Sequence, residues 1–339
     1  MAERGLKTAG GGDLDRRLSV APMMDWTDRH CRYFHRLLAP GALLYTEMVH
    51  CGAILHGDAD RFLGFDPAEH PVALQLGGSE PEELARAAAI GAARGYDEIN
   101  LNCGCPSERV QRGRFGACLM TEPDHVAACV AAMIAAVPAD VPVTVKCRIG
   151  VDDSDELPFL HRFVAASAEA GCRTFVVHAR RAWLKGLSPK QNREVPPLRY
   201  EVVHTLKQAL PELAIVLNGG VRTPAVAGAQ LRQVDGVMIG REAYENPWSL
   251  RAFHNELLGV PRDAMTRMEI VAAMADYARG QRAAGVPTRT VARHMLGLFN
   301  GLRGARAWRR RLAMADPTEG PELLHAAAAL VREEEMLAA

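Results

Sequence analysis

The chain has 339 residues, of which 48% are hydrophobic and 24% are charged, and its 40 basic side chains balance its 40 acidic ones. This composition is typical of a folded globular protein and excludes an intrinsically disordered chain, while the longest uncharged apolar run, residues 126–137, is too short for a membrane span of about 20 residues. The eight cysteines include no C-x-x-C pair, which argues against a disulfide scaffold and against a zinc or iron–sulfur site, so we expect no metal.

The first 17 residues have the composition of a tail. They contain no apolar stretch of the kind that a secretory signal needs, and the acidic residues Glu3, Asp13 and Asp15 are unlike a transit peptide. We therefore expect a cytoplasmic protein without a membrane partner, and we assign residues 1–17 to an N-terminal tail.

Eight short runs rich in β-branched and other apolar residues follow in chain order. They span residues 18–22, 43–47, 72–76, 97–102, 143–146, 174–178, 215–218 and 236–240. Helices are predicted in most of the intervals, with start signals at Pro81, Pro123, Asp155 and Pro224. The interval between the second and third strands has the weakest helical pattern.

Strands that alternate with helices predict a parallel sheet, and eight of them indicate closure into a (β/α)8 barrel, the TIM barrel of the α/β class. We assign residues 18–260 to this barrel. A doubly wound open sheet is the alternative, but no G-x-G-x-x-G motif follows the first strand, as a dinucleotide-binding sheet would require.

Beyond residue 260 the strand pattern ends. Residues 265–337 have the pattern of three or four helices, with breaks at 285–287 and 316–317, where glycine and proline occur. We therefore predict a C-terminal all-α helical domain over residues 261–339. Within it, Trp308 is expected to be a buried anchor rather than a stacking surface for a base.

Charge is strongly segregated along the chain. Residues 277–315 contain nine arginines and no acidic residue, and residues 178–193 form a second acid-free basic stretch. Two such patches in a net-neutral chain favour a polyanionic partner, and the i, i+3, i+7 spacing of Arg303, Arg306 and Arg310 predicts one helix face. The alternative is that these arginines pair with acidic side chains such as Glu322 or Glu333, Glu334 and Glu335 of the acidic tail.

Polar residues occur where the predicted strands end, which is where the active sites of such barrels lie. The loops after the seventh and eighth strands contain Gly219-Gly220 and Gly240-Arg241. Glycine lets backbone N–H groups approach an anion and Arg241 adds a charge-assisted contact, so these loops predict a phosphate-bearing cofactor. Lys146 and His178 are expected on facing inner walls, as donors to the edge of a ring cofactor.

Cys105 lies in a Gly-Cys-Pro turn after the fourth strand and is the candidate for proton chemistry. An unperturbed thiol has a pKa of about 8.5 and is mostly protonated at neutral pH, so it can act as a general acid as well as a nucleophile. Cys103 lies in the same loop, and spacing alone does not choose between the two cysteines.

Several motifs together resemble those of the tRNA-dihydrouridine synthase family. They are Ala21-Pro-Met-Met-Asp-Trp-Thr-Asp28, Asn102-Cys-Gly-Cys-Pro106 with Ser107-Glu-Arg-Val-Gln111, Val145-Lys-Cys-Arg148 and Asn218-Gly-Gly220. The run from Trp183 to Lys190, with Asn192-Arg193, is similar to the A-type branch of the family. The resemblance extends over residues 18–315, and the order and spacing of the motifs make it specific.

This resemblance implies a flavin-binding barrel followed by a helical tRNA-binding domain. The implied cofactor is FMN, with NADPH as its reductant, and the implied reaction reduces the C5–C6 double bond of D-loop uridines around positions 20 and 20a of tRNA. Flavin N5 would deliver a hydride to C6, and the cysteine that directly precedes the proline, Cys105, would protonate C5. The target uridine would have to leave the folded tRNA to reach the flavin. No obligate protein partner is implied.

The motifs also imply site residues, carried over one by one. The implied FMN contacts are Pro22, Met23, Met24, Gln75, Lys146, His178, Asn218, Gly219, Gly220, Gly240 and Arg241. The expected tRNA contacts are Asn102, Arg148, Lys190, Gln191, Arg193, Arg303, Arg306, Arg309 and Arg310. Asn102 would touch the substrate nucleotide, and Gln191 stands where some relatives have glutamate.

Two other functions compete with this interpretation. A flavin barrel that acts on a small molecule, similar to the dihydroorotate dehydrogenases, would share the barrel and its loops but would leave the nine C-terminal arginines unexplained. A tRNA-binding protein that has lost its chemistry would explain the arginines, but the presence of Cys105, Lys146 and His178 argues against it.

Overall fold

The computed structural model describes residues 14–261 and 264–331, and it contains a closed barrel of parallel strands in chain order. The strands are β1 (Leu18–Val20), β2 (Leu43–His50), β3 (Val72–Gly77), β4 (Glu98–Asn102), β5 (Val143–Arg148), β6 (Thr174–His178), β7 (Ala214–Asn218) and β8 (Gly236–Ile239). The barrel closes where β1 pairs with β8, with Leu18 opposite Val237. The predicted (β/α)8 fold is confirmed, and each predicted strand overlaps an observed one.

Helices pack around the outside of the barrel, between consecutive strands and after β8. They are α1 (Arg29–Leu38), α2 (Cys51–His56), α3 (Ala59–Leu63), α4 (Pro81–Ala93), α5 (Glu108–Arg112), α6 (Pro123–Ala136), α7 (Glu156–Glu169), α8 (Tyr200–Ala209), α9 (Pro224–Leu231), α10 (Arg241–Glu245) and α11 (Ser249–Leu258). Pro81, Pro123 and Pro224 begin α4, α6 and α9, because a first-turn N–H has no intrahelical partner to lose. The weak helical pattern between β2 and β3 corresponds to the short helices α2 and α3 and a 3-10 turn at Pro67–Glu69.

The interior of the barrel has an apolar half and a polar half. The apolar half is lined by Ala21, Leu43, Tyr45, Ala73, Val176, Val216 and Met238. The polar half lies on β3, β4 and β5, where the buried side chains are Gln75, Glu98, Asn100, Asn102 and Thr144. Residues between them along each strand point outward and pack against the helices, as strand alternation requires. The polar half ends at the carboxyl end of β4, just before Cys105.

Between residue 264 and residue 331 the chain forms helices and no strand. They are α12 (Arg267–Ala283), α13 (Thr288–Ala292), α14 (Ala305–Ala313) and α15 (Glu322–Ala328). Tyr277 on α12 stacks on Tyr33 of α1 with 4.0 Å between ring centroids, and its hydroxyl lies 2.8 Å from His30 Nδ1. Trp308 is completely buried and its Nε1 donates to the Met295 carbonyl at 3.0 Å, which confirms the predicted anchor.

One prediction about the C-terminal segment is wrong. Arg303 does not belong to the helix that carries Arg306 and Arg310, because α14 begins at Ala305. Gly304 has a φ of 100°, a left-handed conformation that interrupts a helix and that residue spacing alone does not reveal. Of the three arginines, Arg306 and Arg310 therefore share a helix face, since they are four residues apart.

Parts of two predicted segments lie outside the described residues. These parts are residues 1–13 of the N-terminal tail, and residues 262–263 and 332–339 of the C-terminal domain, including Glu333, Glu334 and Glu335. Among the helices that the structure does describe, none is both long and apolar enough to cross a bilayer. The same residues contain no group of three or more histidine, cysteine, aspartate or glutamate side chains that could hold a metal ion.

Candidate active site

The polar strand ends that the sequence predicts lie at one rim of the barrel. Because all eight strands are parallel, their carboxyl ends face the same side, and this side forms the mouth of the barrel. The residues expected to contact the cofactor lie in the carboxyl-terminal halves of the strands or in the loops that follow them: Pro22, Met23, Met24, Gln75, Lys146, His178, Asn218, Gly219, Gly220, Gly240 and Arg241. The fold thus collects side chains that are far apart in the sequence.

Cys105 lies in the loop that follows β4, and hydrogen bonds hold this loop from three sides. The side-chain carbonyl of Asn102 accepts from the backbone N–H groups of Gly104 and Cys105, at 3.1 and 3.0 Å. The Cys105 carbonyl accepts from the Ala117 N–H at 2.9 Å, and Arg148 Nε donates to the Gly104 carbonyl at 2.9 Å. The loop backbone is therefore fixed, and it presents the Cys105 side chain at the rim.

The two cysteines of this loop differ in their environment. Cys103 is completely buried among apolar side chains, and burial raises the pKa of its thiol well above the usual value. Cys105 is only partly buried, and its Sγ lies 3.6 Å from Ser107 Oγ. Because a proton donor must reach its substrate, this geometry favours Cys105 over Cys103.

Lys146 and His178 lie on neighbouring strands rather than on facing walls, which corrects the expectation from the sequence. The barrel closes in chain order, so β5 pairs directly with β6, and His178 lies opposite Arg148 in the register. Lys146 Nζ donates to Asn218 Oδ1 on β7 at 3.1 Å, and Asn218 Nδ2 donates to the Met238 carbonyl on β8. These side chains form one polar wall across β5, β6 and β7.

Burial and mutual repulsion make the groups of this wall poor bases. Burial, with the nearby Arg148 guanidinium, lowers the pKa of Lys146 to about 8. Burial and the surrounding cations lower the pKa of His178 well below its usual value, so this imidazole is neutral at physiological pH. His178 Nδ1 is buried and has no hydrogen-bond partner among the described residues. A buried polar atom without a partner is costly, so the wall fits an additional polar ligand.

The loops after β7 and β8 have the backbone geometry of a close-approach site. Gly219 and Gly220 have φ values of 114° and 67°, which favour glycine. A Cβ at Gly219 would lie 3.2 Å from His178 Nε2, whereas a Cβ at Gly240 would meet no atom within 4 Å. Because glycine has no side chain, the backbone of the loop after β7 is left uncovered, and open space lies beside the loop after β8.

Five cationic side chains gather around these loops: Lys146, Arg148, Arg180, Arg193 and Arg241. In each of the first four, burial and a neighbouring cation lower the pKa. Arg241 Nη1 donates to Glu194 at 2.6 Å, and this bond lowers the pKa of the Glu194 carboxyl. Arg180 was not among the predicted site residues, although it lies in the acid-free stretch. Desolvated positive charge in this excess fits a phosphate group.

The loop after β1 supplies apolar surface to the same mouth. Met23 packs against the apolar half of the barrel interior, and its N–H donates to Thr27 Oγ1 at 3.0 Å. Pro22 is partly buried, whereas Met24 is 56% exposed. Together with the polar amide of Gln75 on β3, these side chains offer both apolar contact and hydrogen bonds, which is what a flat heteroaromatic ring requires.

The residues expected to contact tRNA fall into three groups. Asn102 and Arg148 are buried within the rim of the barrel. Lys190, Gln191 and Arg193 are exposed in the loop after β6. Arg306, Arg309 and Arg310 are exposed on α14, and Arg303 is exposed before that helix begins. The expected tRNA contacts thus comprise two exposed basic regions, one in the loop after β6 and one around α14, and a buried pair of residues at the barrel rim.

Arg148 uses its guanidinium to brace two loops. Its Nε donates to the Gly104 carbonyl at 2.9 Å, and its Nη1 donates to the carbonyls of Arg181 and Asn192 at 3.1 and 2.9 Å. The side chain is 4% exposed. Its contact with tRNA stays a prediction, while the bonds present here connect the Cys105 loop to the loop after β6.

Asn192 organises the loop after β6, a role that was not predicted from the sequence. It is completely buried, and its Oδ1 accepts from the Trp183 N–H at 2.7 Å. Its Nδ2 donates to the carbonyls of Trp183 and Leu187 at 2.9 and 3.2 Å. The Asn192-Arg193 pair in the A-type run was the available signal. By fixing this loop, Asn192 positions the exposed Arg193 at the rim.

The arginine-rich C-terminal stretch is partly neutralised by carboxylates. The ion pairs are Arg279 with Asp276, Arg293 with Asp28, and Arg311 with Glu319. Arg306 and Arg310 are exposed, and no carboxylate within residues 14–261 and 264–331 lies at ion-pair distance from either. The alternative of internal pairing therefore holds for some arginines of the stretch and not for these two.

Comparisons with known proteins agree on one family. A model of the dihydrouridine synthase family matches residues 19–333 of the chain. A protein of Xanthomonas axonopodis pv. citri described as tRNA-dihydrouridine(20/20a) synthase is 57% identical over 300 residues, which cover 88% of each chain. Proteins of the same description from Vibrio parahaemolyticus and Vibrio cholerae are 56% and 53% identical, and both alignments cover 94% of this chain and 98% of the relative.

Proposed function

Because the chain belongs to the dihydrouridine synthase family of flavin-dependent, tRNA-modifying oxidoreductases, we propose that it reduces uridines at positions 20 and 20a of the tRNA D-loop to dihydrouridine. The similar proteins described as tRNA-dihydrouridine(20/20a) synthases support these positions. The observation that carries the proposal is the rim itself: a fixed, partly buried Cys105 beside a glycine-lined mouth rich in cations, of which Arg148 is buried and Lys146 partly buried.

FMN is the cofactor that we propose for the mouth. Gly219-Gly220 and Gly240-Arg241 would hold its phosphate, and Lys146 and His178 would donate to the polar edge of its ring. Pro22, Met23, Met24, Gln75 and Asn218 would complete the contacts. The lack of a G-x-G-x-x-G motif after a strand favours FMN over FAD, since nothing prepares a site for an adenosine half. When bound and reduced, the flavin supplies the hydride that is added to C6 of the uracil ring.

The chain itself would supply the proton. Addition of a hydride to C6 places negative charge at C5, and Cys105 would neutralise this charge by donating its thiol proton there. General acid catalysis of this kind contributes roughly 10²–10⁴-fold to a rate. Cys103 cannot replace it, because its side chain is completely buried.

NADPH is the proposed reductant of the flavin. No dinucleotide-binding fingerprint is present in the sequence, so the nicotinamide would dock transiently at the open mouth rather than occupy a dedicated Rossmann-type site. The same mouth would then receive the uracil, which implies that NADPH and tRNA bind in turn.

tRNA is the proposed partner, and two exposed basic regions would hold it. Residues 18–260 would form the catalytic domain and residues 261–339 the tRNA-binding domain. Arg303, Arg306, Arg309 and Arg310 would contact phosphates from one side of the mouth, and Lys190, Gln191 and Arg193 from the other. A uracil inside folded tRNA cannot reach the rim, so it would be extruded into the mouth, where Asn102 and Arg148 would lie next to it.

The identity of the cofactor is the first test. Heat release of the flavin from the purified protein, followed by mass measurement, is expected to give FMN. Recovery of FAD, or failure to bind any flavin after reconstitution, would contradict the proposed site.

The reaction is the second test. An unmodified tRNA transcript incubated with flavin-loaded protein and NADPH is expected to gain two hydrogens at position 20 and at position 20a, as mapped by mass spectrometry of nuclease fragments. Turnover of NADPH with free uracil-like compounds but not with tRNA would favour the small-molecule flavin enzyme instead. tRNA binding without any reduction would favour the binding protein that has lost its chemistry.

A further inference from the structure

The polar half of the barrel interior is unusual because a barrel core is normally filled with apolar side chains. Glu98, Asn100 and Thr144 are each 0% exposed, and none of them is among the residues that the family motifs single out. Burial of a carboxylate, an amide and a hydroxyl costs free energy unless every group is hydrogen-bonded. The arrangement of these bonds therefore indicates what the polar half does.

The buried polar groups form one continuous chain of hydrogen bonds from the interior to the Cys105 loop. Thr144 Oγ1 donates to Glu98 Oε1 at 2.6 Å, and Asn100 Nδ2 donates to Thr144 Oγ1 at 2.8 Å. Gln75 Nε2 then donates to Asn100 Oδ1, and Asn102 Nδ2 donates to Gln75 Oε1, both at 2.8 Å. Asn102 Oδ1 finally accepts from the backbone N–H groups of Gly104 and Cys105.

Each link in this chain fixes the direction of the next. The Glu98 carboxylate, paired with Arg16 at 2.7 Å, accepts only, so the single hydroxyl proton of Thr144 must point to it. Thr144 can then only accept from Asn100, which turns the Asn100 carbonyl toward Gln75. By the same rule Gln75 turns its carbonyl toward Asn102.

The direction of the hydrogen bonds is the same at the end of the chain that meets the Cys105 loop. Asn102 must turn its carbonyl toward the loop, and backbone N–H groups are obligate donors that match it. Reversal of any amide would place two donors or two acceptors against each other in a buried site, at the cost of an unsatisfied group. The direction set at Glu98 therefore determines which atom of Asn102 holds Cys105.

We propose that Glu98, Thr144 and Asn100 are positioning residues that orient the Gln75 and Asn102 amides and thereby hold the Cys105 loop for proton transfer. The effect on uridine reduction rests on the proposed function, whereas the effect on the loop does not. The chain of hydrogen bonds crosses three strands, β3, β4 and β5, so it also connects the Cys105 loop to the rigid barrel wall. A core of the same volume made of apolar residues would leave these amides free to flip.

Substitution of Thr144 breaks the chain of hydrogen bonds between Glu98 and Asn100 and so tests its role. Thr144→Val keeps the shape of the side chain and removes the hydroxyl, whereas Thr144→Ser keeps the hydroxyl and removes the methyl group. In Thr144→Val, the amides of Gly104 and Cys105 should exchange hydrogen roughly tenfold faster or more, since each loses a hydrogen bond of ordinary strength. The rate of uridine reduction at saturating tRNA should fall by a similar factor with the dissociation constant for tRNA unchanged. Thr144→Ser should behave like the wild type in both measurements.

Tyr45→Phe is the matched control. The Tyr45 hydroxyl donates to the same Glu98 oxygen as Thr144 does and also lies within hydrogen-bond reach of Thr144, but it is a branch at the Glu98 end and not a link between Thr144 and the Asn102 amide. Its loss should lower the melting temperature and leave both the exchange at residues 104 and 105 and the reduction rate unchanged. A variant Asn100→Leu interrupts the next link and replaces Thr144→Val if that protein does not fold.

Three outcomes would overturn the proposal: unchanged exchange at Gly104 and Cys105 in the chain-breaking variant, equal effects of Thr144→Val and Thr144→Ser, or equal effects of Thr144→Val and Tyr45→Phe. Hydrogen exchange is measured on the flavin-loaded protein without turnover, so it tests the positioning role even if tRNA is not the substrate. Absence of dihydrouridine with the wild-type protein would contradict the proposed function alone.

Discussion

Positive charge is held in opposite ways in the barrel mouth and on helix α14. In the mouth, Lys146 and Arg148 lose water, and burial lowers the pKa of each. On α14, Arg306 and Arg310 remain exposed to solvent, while their neighbour Arg311 pairs with Glu319. Buried cations cost free energy until an anion joins them, whereas exposed cations cost little and are screened by salt.

This difference separates two kinds of anion recognition. A desolvated, shaped cluster is suited to one small phosphate ligand and should depend weakly on ionic strength. An exposed helix face is suited to a long polyanion that exchanges its counterions, so its affinity should depend strongly on salt. We therefore expect the mouth to perform the chemistry and the α14 face to contribute to holding tRNA.

The largest effect is expected from Cys105→Ala, which removes the chemistry of the mouth and leaves both anion sites intact. Uridine reduction should slow by roughly 10²–10⁴-fold, because the proton for C5 loses its donor. Flavin content, flavin reduction by NADPH and tRNA affinity should be unchanged. The matched control, Cys103→Ala, should retain most of the activity. If Cys103→Ala abolished the reaction and Cys105→Ala did not, Cys105 would not be the acid.

Lys146→Met tests whether the cations of the mouth are truly desolvated. The folded flavin-free protein releases the Lys146 proton at about pH 8, whereas the unfolded chain holds it to the usual lysine pKa of 10.5. The unfolded state therefore binds more protons in this window, and the unfolding free energy of the wild type should rise relative to the variant, on the order of 2 kcal/mol between about pH 8 and about pH 10. Chemical denaturation at several pH values measures this. Lys185→Met, at an exposed loop position, is the control, and a flat difference for Lys146→Met would mean that the mouth is hydrated.

The double substitution Arg306→Ala/Arg310→Ala tests the exposed face. The dissociation constant for tRNA should rise about tenfold at moderate salt, since two exposed ion-pair contacts are lost and each is worth roughly 0.7 kcal/mol. The magnitude of the log–log salt slope should fall by roughly 0.7 to 0.9 for each phosphate that the variant no longer neutralises. Arg311→Ala is the matched control on the same helix, because this side chain is already paired with Glu319. An unaltered slope in the double variant would exclude these two arginines from tRNA binding.

The smallest effect is expected at the joint where the C-terminal helical segment contacts α1 of the barrel. Asp28 caps α1 through the N–H groups of His30 and Cys31 and contacts Arg293 and His294. Although burial opposes ionisation, these partners lower the pKa of the Asp28 carboxyl. Asp28→Asn preserves the cap and removes the charge, so stability should fall by roughly 1 kcal/mol at pH 5.

The pH dependence of that loss provides its check. A carboxyl with a lowered pKa stabilises the fold above its unfolded pKa of about 3.9 and loses this contribution as the pH falls through the folded pKa. The difference between wild type and Asp28→Asn in thermal melts should therefore shrink below about pH 4. A difference that stays constant into acid would mean that the charge of Asp28 does not matter to the joint.

The sequence predicts the barrel well because its signals are local. The eight apolar runs are bounded by turns, and Pro81, Pro123 and Pro224 mark helix starts that the structure confirms. Strand β2 shows the limit: it extends to His50, and its register shifts between Tyr45 and Met48. Such an irregularity depends on the neighbouring strand and has no signal in the run itself.

The candidate site is predictable where the rule about strand ends applies and not where partners are distant in sequence. Lys146, His178 and the glycine loops follow from that rule. The chain of hydrogen bonds that connects Glu98 to Asn102, in contrast, joins residues up to 46 positions apart in the sequence. The pairing of Arg293 with Asp28 spans 265 residues. Arg303 was misplaced because a spacing argument assumes a continuous helix, and the left-handed Gly304 breaks it.

The division of labour between the two regions has one direct measurement. Flavin-loaded Arg306→Ala/Arg310→Ala, reduced beforehand without oxygen, is mixed with increasing amounts of tRNA, and flavin reoxidation is followed in single turnover. This titration gives the limiting rate and the tRNA dissociation constant together. We predict a wild-type limiting rate with a raised dissociation constant. A reduced limiting rate with wild-type affinity would contradict the account, because it would place the α14 arginines in the chemistry rather than in tRNA binding.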